Sequence, residues 1–245
     1  MSRSLLALLL AITCLLPLTG GEDAAQPFPR SKDYNWMSVK SWNERHVKHL
    51  EVIKGGGGDL LFVGDSITEG WGGAGKEVWA KEYAPGKAVN IGIGGDTTQN
   101  VLWRLANGEV DGLKPKVIVL MIGTNNFGLN GDQPADVVRG VTAVVASLRE
   151  KLPQSHVLLL SIFPRDAKPD APIRGKISEV NSSIAKLDDG KAVHYLDIGT
   201  VFAEADGSLS KDVMPDFLHL SGEGYKRWAE AIRKPLTELV AKPVK

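Results

Sequence analysis

The fold of this chain is decided by the stretch LLFVGDSIT, residues 60–68, in which four apolar residues run directly into a polar turn. The apolar residues do not alternate with polar ones, which is typical of a strand buried on both faces of a sheet. Similar short apolar runs recur along the chain, separated by longer segments with helical periodicity. The further runs are 88–91, 117–122, 157–162 and 193–196.

This alternation predicts an α/β fold, a three-layer α/β/α sandwich with a five-stranded parallel sheet. The intervening helices are predicted at 76–83, 98–106, 134–152, 173–187 and 221–240. In such a sheet, ligands bind at the carboxyl ends of the strands, where the loops meet helix N-termini. We therefore expect the functional residues in the segments that follow the apolar runs.

Composition restricts the classes of protein that need consideration. The chain has 245 residues, 43% of them hydrophobic, which is enough for one core of ordinary size. Its 29 Lys and Arg residues are matched by 29 Asp and Glu residues, without a block of like charge. This balance gives no electrostatic footprint for nucleic acid and favours a small-molecule partner.

The N-terminus, residues 1–21, has the pattern of a secretory signal peptide, with a basic start at Arg3 followed by an apolar stretch and small residues. The apolar stretch is shorter than the roughly 20 residues that cross a bilayer. We therefore expect an exported protein, periplasmic or secreted, without a membrane span. A lipoprotein anchor at Cys14, the only cysteine, is disfavoured because Thr13 is a poor residue to precede a lipidation site.

Residues 22–35 are polar and contain two prolines, a composition that predicts a flexible linker. A single folded domain is expected over residues 36–245.

Polar residues and glycines follow the first three apolar runs. Ser66 lies at the end of the first strand, where it serves either as a nucleophile or as a cap of the next helix. The glycines of 92–95 either let the backbone approach a ligand or form a tight turn. Asn125 follows the third strand and brings an amide to the same edge of the sheet.

Near the C-terminus, Asp216 and His219 are separated by three positions. This spacing puts a carboxylate and an imidazole on one side of a helical turn. The carboxylate would fix the ring tautomer and leave the other ring nitrogen to take a proton from a serine. Taken alone, the same pair is also a common feature of a helix start.

Taken together, four blocks of sequence resemble the SGNH, or GDSL-like, hydrolases. The blocks are Gly-Asp-Ser-Ile-Thr at 64–68, Gly-Ile-Gly-Gly-Asp-Thr-Thr at 92–98, Gly-Thr-Asn-Asn at 123–126 and Asp-Phe-Leu-His at 216–219. The middle blocks, with residues 101–105 and 114–119, look especially like the catalytic subunits of platelet-activating factor acetylhydrolase. The resemblance covers about Trp36 to Val240, nearly all of the predicted mature chain.

The resemblance implies a flavodoxin-like SGNH hydrolase domain and a serine ester hydrolase. Ser66 would be the nucleophile, His219 the general base and Asp216 its orienting partner. The oxyanion hole would consist of the backbone N–H groups of Ser66 and Gly95 and the side-chain amide of Asn125, with Gly94 less favoured than Gly95. No cofactor is implied, and no metal, since the sequence lacks a His-Glu-x-x-His motif.

The expected reaction is hydrolysis of short acyl esters, with acetyl favoured, on a small-molecule or carbohydrate substrate. The alternatives are a lysophospholipase or thioesterase and, from another class, a non-catalytic binding module on the same fold. Trp71 and Phe127 follow the first and third blocks and would either wall the substrate pocket or pack in the core. The related acetylhydrolase subunits pair, which makes a homodimer possible.

Overall fold

A computed structural model describes residues 23–244 of the chain. Its five strands form one sheet in which every neighbouring pair is parallel, in the order β2-β1-β3-β4-β5. The strands are β1 Leu60–Gly64, β2 Val89–Asn90, β3 Val117–Met121, β4 His156–Leu160 and β5 Val193–Leu196.

Seven α-helices accompany the sheet in the described part of the chain. They are α1 Val39–Lys54, α2 Ser66–Glu69, α3 Lys76–Glu82, α4 Thr98–Ala106, α5 Pro134–Lys151, α6 Pro172–Ile184 and α7 Gly222–Val240. None of the helices in residues 23–244 is both long and apolar enough to cross a membrane.

Successive residues of the strands point into two different cores. On one face, Leu61 and Val63 join an apolar cluster that is completed by α4, α5 and α6. On the other face, Phe62 joins a cluster that contains Trp71 and, from α7, Trp228. Burial on both faces explains why the strands contain so few polar residues. The predicted three-layer α/β/α fold is thereby confirmed.

Strand β2 is shorter than the predicted run 88–91; it lies at the edge of the sheet and pairs with β1. The chain continues along β1 beyond the strand, since the N–H groups of Ile91 and Ile93 donate to the carbonyls of Phe62 and Gly64. These bonds bring the glycine loop that follows β2 beside the end of β1.

The structure corrects the expectation of a loose linker for the described residues 23–35. Ala24 and Arg30 are buried. The Phe28 N–H donates to the carbonyl of Gln99 (3.1 Å), and the Asn100 side chain donates to the carbonyl of Phe28 (3.0 Å). A polar composition did not reveal this packing because it depends on backbone groups that pair with the start of α4. The predicted signal peptide lies outside the described residues.

Buried charged side chains connect helices α1 and α4 to the loop that follows β2. Asp96 and Arg104 are fully buried, and Arg104 Nη2 lies 2.7 Å from Asp96 Oδ2. Arg104 also pairs with buried Glu109. Trp42 of α1 donates to the Asp96 carboxylate (2.6 Å), and His49 contacts Glu109 (2.6 Å). Burial alone would raise the pKa of Glu109, but the Arg104 charge and the histidine hydrogen bonds lower it to about 2.

We expect Arg104→Met to reduce the free energy of unfolding by about 3–5 kcal/mol, because it leaves two carboxylates buried without their cation. Denaturant unfolding measures the loss. The control is Lys116→Met, which breaks an exposed ion pair with Asp59 and should cost less than about 1 kcal/mol. Equal losses of unfolding free energy in the two variants would contradict a stabilising role for the buried charges.

Candidate active site

Ser66 lies at the point where β1 turns into α2. The Asp65 side chain caps this helix by accepting a hydrogen bond from the N–H of Ile67 (2.9 Å). Ser66 is the first residue of α2, so its own N–H has no partner within the helix. The turn therefore presents both the Ser66 hydroxyl and the Ser66 N–H at the carboxyl edge of the sheet.

His219 reaches Ser66 from the segment that precedes α7. Its Nε2 lies 2.9 Å from Ser66 Oγ, and its Nδ1 lies 2.7 Å from Asp216 Oδ2. The other oxygen of Asp216 accepts the backbone N–H groups of His219 (2.7 Å) and Leu218 (3.0 Å). One carboxylate thus holds both the ring and the backbone of His219.

Asp216 and His219 do not share a helical turn, which differs from the sequence-based expectation. Phe217, the first of the two residues between them, has a left-handed φ of 58°, and α7 begins only at Gly222. The pair is formed instead by a turn that the Asp216 side chain closes through its hydrogen bonds to the backbone. Burial would raise the pKa of Asp216, but these hydrogen bonds and the nearby His219 lower it.

The glycine loop after β2 lies across the site from His219. Gly95 has a φ of 73°, and a Cβ at this position would clash with the indole of Trp36. The Gly94 N–H donates to Glu69 Oε2 (2.8 Å), whereas the described residues offer no hydrogen-bond acceptor to the Gly95 N–H. Of the two glycines, Gly95 therefore has the available donor.

Asn125 contributes an amide from the loop after β3. Its Nδ2 donates to the backbone carbonyl of Asp96 (3.0 Å), which fixes the amide beside the glycine loop. Ser66, Gly95, Asn125 and His219 line one cavity of about 420 Å³. The structure therefore brings together the serine, the histidine and the three expected hydrogen-bond donors.

The two aromatic residues expected at the substrate pocket lie elsewhere. Trp71 is fully buried in the core, with its ring centroid 4.6 Å from that of Tyr225 and 4.9 Å from that of Trp228. Phe127 is half-buried and packs against the core on the opposite face of the sheet. Neither lines the cavity, so the prediction that they wall it is wrong, and the core alternative describes both.

The cavity is lined instead by residues that the sequence interpretation did not select. They are Trp36, Met37, Arg45, Glu69, Gly128, Leu129, Arg165 and Leu218. Leu218 could have been found from its position next to His219. Trp36 lies in the segment before α1, and its place in the site depends on how that segment packs. No cluster of three or more His, Cys, Asp or Glu residues within 23–244 is suited to hold a metal ion.

The model of the GDSL-like lipase/acylhydrolase family matches residues 62–227. The alpha2 subunit of human platelet-activating factor acetylhydrolase IB is 40% identical over 203 residues, which make up 81% of this chain and 83% of that protein.

Solved structures share the fold. A structure from Streptococcus pneumoniae described as a platelet activating factor aligns with a TM-score of 0.68 and 25% identity, over 82% of this chain and 95% of that one. An acetylxylan esterase from Geobacillus stearothermophilus aligns with a TM-score of 0.59 and 18% identity, over 76% of this chain and 95% of that one.

Asp65 is the buried ionisable group adjacent to the serine. Burial raises its pKa to about 7, and within the described residues its Oδ2 has no hydrogen-bond partner. Because the folded-state pKa lies above the ordinary value, the folded protein favours the protonated form. The resulting stability is present below about pH 4 and is lost as the pH rises through about 7.

We expect Asp65→Asn to match the stability of the wild type near pH 4 and to exceed it by roughly 4 kcal/mol near pH 8. The amide keeps an oxygen for the Ile67 N–H and carries no charge. Denaturant unfolding at several pH values measures the difference. The control, Asp59→Asn, changes an exposed carboxylate and should show no such trend. A pH-independent difference for Asp65→Asn would refute this account.

Proposed function

Since the chain belongs to the GDSL-like lipase/acylhydrolase family and is an ester hydrolase, we propose that it removes short acyl groups, acetyl foremost, through a triad of Ser66, His219 and Asp216. The observation that carries the proposal is the 2.9 Å separation of Ser66 Oγ from His219 Nε2. This distance is within hydrogen-bond reach, as a nucleophile and its base require.

In the proposed reaction, His219 takes the proton of Ser66 as the serine oxygen attacks the ester carbonyl. Asp216 holds the ring so that Nδ1 keeps its proton and Nε2 faces the serine, and it stabilises the imidazolium that forms. His219 then gives the proton to the leaving alcohol. A water molecule, activated by the same ring, hydrolyses the acyl-enzyme and regenerates Ser66.

The negative charge on the carbonyl oxygen needs donors that are already in place. We assign this role to the N–H groups of Ser66 and Gly95 and to Asn125 Nδ2. The Ser66 N–H is free because it begins a helix, and the Gly94 N–H is disfavoured because Glu69 occupies it. Asn125 uses one amide proton on the Asp96 carbonyl and keeps the second for the substrate. Preorganised donors of this kind stabilise the transition state more than the ground state.

The preference for short acyl groups rests on the size and lining of the cavity. Its volume is about 420 Å³, and it must hold the alcohol portion of the ester as well as the acyl group. Leu129, Leu218 and Trp36 provide apolar surface beside the serine. The acetylhydrolase name of the 40% identical relative agrees with an acetyl preference.

We further propose that the protein is exported and, because an exported esterase meets extracellular polysaccharide, that it acts on acetylated carbohydrate. The proposal of export rests on the signal-peptide pattern of residues 1–21. N-terminal sequencing of the protein from the exported fraction tests it. A chain that begins near residue 22 supports export, and an intact N-terminus found only inside the cell contradicts it.

We expect Ser66→Ala to lower kcat by about 10⁶, because the triad residues act as a unit. Hydrolysis of 4-nitrophenyl acetate measures the effect. The matched control is Ser183→Ala, which removes a hydroxyl that only donates to a carbonyl within α6 and should leave kcat unchanged. A Ser66→Ala enzyme with the turnover of the wild type would exclude Ser66 as the nucleophile.

The wild-type enzyme and Ser66→Ala also serve to identify the acyl group. Nitrophenyl esters of increasing acyl length are assayed beside acetylated xylan and a lysophospholipid. Activity that falls as the acyl chain lengthens supports the proposal. A preference for long chains or for the lysophospholipid favours the lysophospholipase alternative, and inactivity of the wild type on every substrate favours a binding module.

We expect Asn125→Ala to lower kcat by about 10² to 10³, the usual effect of losing one oxyanion donor. The control is Asn107→Ala, since Asn107 also donates its amide to a backbone carbonyl but lies at the exposed end of α4. Steady-state kinetics on 4-nitrophenyl acetate distinguish the two. Undiminished turnover in Asn125→Ala, together with an inactive Ser66→Ala, would remove Asn125 from the proposed hole.

A further inference from the structure

We propose that Arg30 is a positioning residue that orients and polarises the peptide bond between Gly94 and Gly95, and thereby the oxyanion donor of the site. The inference rests on the proposed function, because it assigns the Gly95 N–H to the oxyanion hole. Arg30 lies outside residues 62–227, the part of the chain that matches the family model.

The central observation is the contact between Arg30 and the glycine loop. Arg30 Nη2 donates to the carbonyl oxygen of Gly94 at 2.7 Å, a short, charge-assisted hydrogen bond. The carbonyl of Gly94 and the N–H of Gly95 belong to the same planar trans peptide unit and point in opposite directions. A donor that fixes the carbonyl on one side therefore also fixes the direction of the N–H on the other side.

The charge on Arg30 has a second effect on the same peptide. A cation that binds the carbonyl oxygen draws electron density away from the amide nitrogen and makes the N–H a stronger donor. Arg30 is only 5% exposed, so water screens this interaction little. The Gly95 N–H is thereby prepared for an anionic acceptor before the substrate arrives.

The neighbouring backbone groups of the loop are held by other residues. The Gly94 N–H donates to Glu69, the Asp96 N–H donates to the Ile93 carbonyl (3.2 Å), and the Asp96 carbonyl accepts from Asn125. Within residues 23–244, Arg30 is the side chain that binds the Gly94 carbonyl. Loss of Arg30 would therefore release this peptide unit specifically.

The burial of Arg30 is costly, which argues that it does more than fill space. Its Nη1 is buried without a hydrogen-bond partner in the described residues, and desolvation lowers the pKa of the guanidinium. The nearest carboxylate oxygen, Asp96 Oδ1, is 3.7 Å away, farther than the Gly94 carbonyl. The direct hydrogen bond of Arg30 is thus to the peptide, and the ion pair is secondary.

The segment that carries Arg30 is anchored on both sides of it. Before Arg30, Phe28 exchanges hydrogen bonds with Gln99 and Asn100 of α4. After Arg30, the Trp36 indole covers Gly95. These contacts therefore fix the position of the Arg30 guanidinium relative to the peptide bond between Gly94 and Gly95.

The test compares Arg30→Met, Arg30→Lys and a matched control, Arg139→Met. Arg139 also binds this segment, through Asp23 (3.1 Å), but it is exposed and does not contact the glycine loop. Each variant is assayed with 4-nitrophenyl acetate for kcat and KM, and its thermal unfolding is recorded so that all rates are compared below unfolding.

We expect Arg30→Met to lower kcat by about tenfold to a hundredfold with KM within threefold of wild type, less than the loss of a whole oxyanion donor. Arg30→Lys keeps a cationic donor and should recover part of the loss, and Arg139→Met should keep the wild-type kcat. A kcat in Arg30→Met equal to that of wild type overturns the inference, as does a loss that appears only as a raised KM.

A second readout does not depend on activity or on the folding of Arg30→Met. In ¹⁵N-labelled protein, the Gly95 amide resonance should shift in Arg30→Lys and stay in place in Arg139→Met. An unmoved Gly95 resonance in Arg30→Lys overturns the inference. Ser66→Ala separates this outcome from the proposed function: if Ser66→Ala remains active, the function fails, whereas an inactive Ser66→Ala beside an undiminished Arg30→Met overturns only the role of Arg30.

Discussion

The buried carboxylate of Asp96 holds together the parts of the molecule that form the site. It accepts hydrogen bonds from Trp42 of α1 and from Arg104 of α4, and both of these partners are fully buried. Its backbone carbonyl accepts the amide of Asn125, and Gly95 directly precedes it. A charge buried so completely is tolerated only when its partners are in place, so the glycine loop has one stable position relative to α1, α4 and the end of β3.

The buried charges position only one side of the proposed active site. Ser66 is placed by the turn from β1 into α2, and His219 by a turn that Asp216 closes. The hydrogen-bond donors that face them come from the loops after β2 and β3, which the buried charges join. The proposed reacting groups and the proposed oxyanion donors are therefore positioned by different contacts. They meet because all of these segments follow parallel strands or precede the last helix.

The sequence predicted much of this arrangement because burial on both faces of a sheet leaves a strong apolar signal in each strand. The failures came from features that composition does not encode. The aromatic ring of Trp71 suits a pocket or a core equally well, and only the direction of the turn after α2 places it beside Trp228. The segment 23–35 looked like a linker because its contacts use backbone groups and one buried arginine. Asp216 and His219 lie within hydrogen-bond distance, as their spacing suggested, but a left-handed Phe217 replaces the helical turn expected between them.

The central claim is that Ser66 carries the acyl group during the reaction. Rapid acid quench of the enzyme with 4-nitrophenyl acetate, followed by peptide mapping by mass spectrometry, tests this claim most directly. The account predicts the mass of one acetyl group on the peptide that contains Ser66, and located on that serine. Release of nitrophenol with the acetyl group on a different residue, or with no acetylated peptide at any quench time, would contradict it.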